Sequence, residues 1–77
     1  MKNRKPKNSQ HVVLIVRQPG ANPVTGEFMP RDVERLFILA ADAQDAHQKA
    51  MQRRQMPVMG QTLSMLVNGQ YQADERF

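Results

Sequence analysis

Two stretches of this chain are apolar at every position: Val12-Val13-Leu14-Ile15-Val16 and Leu36-Phe37-Ile38-Leu39-Ala40-Ala41. A strand with one wet face alternates apolar and polar residues, because successive side chains point to opposite faces. Neither stretch alternates. The first, from His11 to Gln18, is rich in β-branched residues and predicts a strand. Pro19-Gly20 stops it, and Ala21 to Glu27 predicts a loop with two further breakers, Pro23 and Gly26.

The second stretch has two readings. Val33, Leu36, Phe37 and Ala40 fall at helical spacing, and Pro30 suits the first turn of a helix. A helix apolar all round must be buried on every side, more than so short a chain can arrange. A strand from about Val33 to Ala41 is therefore preferred.

The helix from Ala43 to about Arg54 is the clearest element. Asp42 is a good N-cap, and Asp45, three residues on, makes an approximate capping box. Ala43, Ala46, His47, Ala50 and Met51 form one stripe. Asp45 precedes Lys49 by four residues, a favourable pair. Acids open the helix and Lys49, Arg53 and Arg54 close it, matching its dipole. The alanine-rich stripe lets the helix lie close to a sheet but buries little area. After a connector at Met56 to Gly60, Thr62 to Val67 predicts a third strand. Asn68-Gly69 is the strongest hairpin signal in the chain, and Gln70 to Ala73 returns as a short edge strand with Tyr71 inward. The fold class is α+β: a small two-layer sandwich of order β-β-α-β(-β), with one helix on a mainly antiparallel sheet.

One helix covers one face of such a sheet. The other face is then apolar and uncovered, which monomers rarely tolerate over more than a few hundred Å². A partner follows: a protein, or a second copy in a homodimer. The uncovered set is either Val13, Ile15, Phe37 and Leu39, taken here as the partner or dimer face, or Val12, Leu14, Val16, Leu36 and Ile38. The choice needs strand register, which spacing does not encode.

The chain has 77 residues, no cysteine and two histidines, His11 and His47. One domain is expected over residues 11–77, without a disulfide or thiolate metal site. A core of this size supplies only about 3–5 kcal/mol, and oligomerisation is the remaining staple. No stretch approaches the roughly 20 apolar residues of a membrane span, and the apolar run behind the basic start is too short for a signal peptide. The expected location is cytoplasmic, with no membrane contact.

The net charge of +4 is unevenly placed. Lys2, Arg4, Lys5 and Lys7 lie in the first ten residues without an acid, and the other seven basic and seven acidic residues balance. Residues 1–10 are expected to be a disordered basic tail. Such a tail, supported by Arg17, Lys49, Arg53 and Arg54, would contact nucleic-acid phosphates. It has no aromatic for base stacking, and solvation or dipole matching also explains these charges. The late methionines Met51, Met56, Met59 and Met65 suit either a core or an adaptable surface.

Catalytic signals are missing. Ser9 and Ser64 lack a nucleophile elbow, the four glycines are dispersed, and capping accounts for Asp42 and Asp45. No cofactor is implied, and no enzyme is expected. The leading expectation is a small regulator, inhibitor or adaptor docking an apolar sheet face or edge on a protein partner. The alternative is a DNA- or RNA-binding protein using its tail.

Overall fold

The segment after Pro30 is a strand. Its nine residues pair with the first strand along their whole length, from Ser9 opposite Ala40 to Arg17 opposite Asp32. A helix there would leave the all-apolar stretch without enough cover, whereas a strand splits it between two faces. The computed structural model describes residues 8–76. The elements are β1 (Ser9–Arg17), β2 (Gly20–Ala21), β3 (Phe28–Met29), β4 (Asp32–Ala40), α1 (Ala43–Arg53), β5 (Thr62–Val67) and β6 (Gln70–Arg76).

The long strands form one sheet ordered β4-β1-β5-β6, antiparallel throughout. The helix lies on one face, giving the expected α+β two-layer architecture. β1 begins at Ser9, inside the stretch read from sequence as tail. The β2–β3 ribbon brackets the expected loop at residues 21–27, taking in only Ala21 of it. Asn22 shapes its tip: its side-chain oxygen accepts from the N–H groups of Val24 and Thr25. Gly26 completes the tip with φ +76°, a region glycine enters without penalty.

The β5–β6 hairpin turns at Asn68 and Gly69, both with positive φ, as a type I′ turn requires. The helix is capped as its sequence indicates. Asp42 accepts from the Asp45 N–H at 2.8 Å, while the Asp45 carboxylate reaches back to the Ala41 N–H at 2.9 Å. Ala46 and Ala50 are fully buried, so the helix sits close on the sheet. The core is Val13, Ile15, Ile38, Ala40, Leu63, Met65 and Val67 from the sheet, with Ala46 and Ala50 above them and Met56 from the connector. Met65 and Met56 are thus core residues; Met51 packs at the margin and Met59 is exposed.

Two polar devices hold the irregular segments. The Glu34 carboxylate accepts from the N–H groups of Gln55 and Met56, fixing the chain where it leaves the helix. Arg17 is buried, and its guanidinium donates to the carbonyls of Pro57 at 2.9 Å and Pro30 at 2.7 Å. It ties the connector after the helix to the segment entering β4.

Candidate docking surface

Directly paired residues of antiparallel strands point to the same face. Val13 pairs with Leu36 and with Val67; Ile15 pairs with Glu34 and with Met65. The odd-numbered residues of β1 therefore share the helix-covered face with the even-numbered residues of β4. Val12, Leu14 and Val16 share the opposite face with Phe37, Arg35 and Val33.

This register corrects the face expected from sequence. Val13 and Ile15 are 0 % exposed and lie in the core, so they are not part of an open surface. Phe37 and Leu39 are 59 % and 61 % exposed. The alternative set fails likewise, since Ile38 belongs to the core while Val12 and Leu14 lie on the other face. Both sets join the two strands out of register by one residue, which exchanges the faces.

The uncovered face reads in rows across the sheet. One row runs Arg35, Leu14, Leu66, Tyr71; the next runs Val33, Val16, Ser64, Asp74. Phe37 and Val12 form a row above them, and Leu39 opposite Gln10 lies at the end. Exposure is highest on the outer strands. Val33, Phe37, Leu39 and Tyr71 are exposed, whereas Val12, Leu14 and Val16 of β1, which lies between β4 and β5, are half-buried or buried. Together the four exposed side chains present on the order of 400 Å² of largely apolar surface, a size at which a monomer's largest patch is often functional. Tyr71 therefore does not point inward as expected; it sits on this face at the β6 margin.

Charge marks the two margins. Arg35 stands on β4 and Asp74 on β6, where Asp74 accepts a hydrogen bond from the Ser64 hydroxyl at 2.9 Å. The Tyr71 hydroxyl is pushed above its ordinary pKa by desolvation, and further by the charge of Asp74 and a hydrogen bond to it.

The cations expected to support phosphate binding are dispersed. Lys2, Arg4, Lys5 and Lys7 lie outside the described residues. Lys49 pairs with Asp45 at 3.0 Å and donates to the Leu39 carbonyl. Arg54 donates to the Met56 carbonyl, and Arg53 is exposed at the helix end. Arg17 is buried and committed to two carbonyls, so it cannot support a phosphate surface.

On the helix side, a groove of about 560 Å³ is lined by Gln44, His47, Gln48, Met51, Gln52 and Glu75. His47 Nε2 lies 3.3 Å from a Glu75 carboxylate oxygen, which pins the helix to β6. His11 is buried, with Nδ1 2.9 Å from the Ser9 carbonyl oxygen. Among the described residues, no three His, Cys, Asp or Glu side chains gather as a metal site. No helix among them is long and apolar enough to cross a membrane.

No protein-family model, curated protein or solved structure matches this chain. The chain is a small α+β fold without catalytic motifs, and the uncovered sheet face is its most distinctive surface.

Proposed function

We propose that this chain is a non-enzymatic interaction module that docks a protein partner on the uncovered face of its sheet. The observation that supports it is the exposure of Phe37 and Leu39 on the face opposite the helix, with Tyr71 at the far margin. Burying them would recover about 25 cal/mol per Å² before the costs of association. The charges specify the partner's chemistry. Its surface has an apolar centre, an acidic group to meet Arg35 and a basic group to meet Asp74. Such flanking charges set orientation and encounter rate more than affinity.

The test is site-specific photo-crosslinking in the native cell, with a photoreactive residue in place of Tyr71 or, as a control, of the exposed helix residue Gln48. The reading predicts one adduct from position 71 and none from position 48. It also predicts that Leu39→Lys removes that adduct while lowering the melting temperature by less than about 8 °C. Equal labelling from both positions, or an adduct indifferent to Leu39→Lys, contradicts it.

A further inference from the structure

The open edge of β4 carries a second, more specific pattern. Asn68 donates its N–H to the Val12 carbonyl, and its side-chain oxygen accepts from the Val12 N–H. Both backbone groups of Val12 therefore point toward β5. Its register partner on β4, Phe37, then turns its own N–H and C=O away from β1, out of the sheet. By the alternation of an antiparallel ladder, Val33, Arg35 and Leu39 do the same.

Two independent contacts agree. The Val33 N–H is taken by the Asp32 side chain at 2.8 Å, and the Leu39 carbonyl by Lys49 at 3.2 Å. Among the described residues, nothing takes the Val33 carbonyl, either group of Arg35 or of Phe37, or the Leu39 N–H. The opposite edge is different. β6 is interrupted by a bulge and ends in Asp74, Glu75 and Arg76, features that discourage strand addition. β4 has no proline, no bulge and nine residues of regular register.

Resting on the reading of the chain as an interaction module, we propose that β4 pairs antiparallel with β4 of a second copy, with the two-fold axis beside Leu36. The pattern of open and occupied groups selects that register. With the axis at Leu36, Arg35 faces Phe37 of the second copy, and Val33 faces its Leu39. The two occupied groups, the Val33 N–H and the Leu39 carbonyl, are then each other's partners. Every open group finds an open partner. Moving the axis to Arg35 or to Phe37 sets open groups against occupied ones and loses bonds. An axis at Arg35 also opposes two guanidinium groups, which is unfavourable.

Side chains favour the same arrangement. On the uncovered face each Arg35 comes beside the Phe37 ring of the other copy, a cross-strand cation–π contact. Three of the most exposed apolar residues of that face, Val33, Phe37 and Leu39, lie on β4 itself and gather around the axis. The product is a continuous eight-stranded sheet that joins two uncovered faces into one. A strand-edge contact of this length lies at the small end of specific interfaces, so the dimer dissociates on the order of micromolar concentration.

Two experiments on the full chain test it. First, because the chain has no cysteine, single cysteines report register. Residues facing each other across the axis in a non-hydrogen-bonded pair lie at disulfide distance. Leu36→Cys should form a covalent dimer under mild oxidation at least tenfold faster than Leu39→Cys, although position 39 is more exposed. A Leu39→Cys rate equal to or above that of Leu36→Cys overturns the proposal. Second, Arg35→Pro removes an outward N–H without touching the β1 ladder. Sedimentation equilibrium should show a concentration-dependent dimer for the wild type, a weakened dimer for Arg35→Ala and a folded monomer for Arg35→Pro. A wild-type monomer at hundreds of micromolar overturns the proposal, as does a folded Arg35→Pro that dimerises like wild type. If Arg35→Pro fails to fold, the cysteine rates decide. The crosslink from position 71 is far from this edge, so its survival separates failure of the dimer from failure of the docking reading.

Discussion

Ile38 and Leu39 are neighbours in sequence, and the register sends them to opposite faces. Truncating each to alanine therefore tests the layer assignment with almost no change in chemistry. Ile38 is 1 % exposed and sits in the core between the sheet and the helix. Ile38→Ala removes buried methyl groups and leaves a cavity, costing about 3 kcal/mol within the usual span of such changes. That is most of the roughly 3–5 kcal/mol available to a domain of this size. Leu39 is 61 % exposed, so only the smaller part of its surface is withdrawn from water. Full burial of a leucine contributes roughly 1.5–3 kcal/mol, and Leu39→Ala should cost less than about 1 kcal/mol. In a domain this small, 1 kcal/mol moves the melting temperature by about 4–8 °C. Thermal denaturation by circular dichroism, on dilute protein, should show a drop of at least about 12 °C for Ile38→Ala and under about 8 °C for Leu39→Ala. Equal drops, or a larger one for Leu39→Ala, would refute the assignment of faces.

Three further outcomes follow from individual contacts. Arg17→Met should cost about 3 kcal/mol, because it removes two charge-assisted hydrogen bonds that a buried guanidinium makes to the carbonyls of Pro30 and Pro57; urea titration gives the loss, and limited proteolysis should show cleavage moving to residues 22–30 and 54–61. The Asp45 carboxyl is held below its ordinary value of 3.8, first by the Ala41 N–H and then by Lys49. A depressed carboxyl stabilises the fold above that value and loses its effect as pH falls through the folded one. Melting temperature should thus fall more steeply from pH 5 to pH 2 in wild type than in Asp45→Asn. Gly69→Ala should cost about 1 kcal/mol from backbone strain alone, since φ is +82° and an added Cβ meets nothing; a chemical denaturation midpoint measures it.

Much of the fold was legible because local chemistry and tertiary packing agree. Asp42 and Asp45 mark the start of the helix, Asn68-Gly69 marks the hairpin, and the uninterrupted stretch at residues 36–41 is too apolar for a lone helix. The composition of the uncovered face was not legible, and the reason is the same apolar surplus. With apolar residues at both parities in β1 and β4, the pattern carries no sign of which set meets the helix. Only the pairing of Val13 with Leu36 decides it. The burial of Arg17 was hidden for the same reason, since it continues the series His11, Val13, Ile15 toward the covered face. The β2–β3 ribbon, two residues a side, is too short for any periodic signal. The commitments of Lys49 and Arg54 to backbone carbonyls depend on how the helix lies against β4 and on the path of the connector.

The most direct measurement is residue-resolved amide hydrogen exchange of the wild-type chain by nuclear magnetic resonance, at two concentrations a hundredfold apart. If β4 is a contact edge, the Arg35, Phe37 and Leu39 amides exchange quickly in dilute protein and slow at least tenfold in concentrated protein, while β6 amides do not change. Uniformly fast exchange of those three amides at both concentrations, or slowing confined to β6, would contradict it.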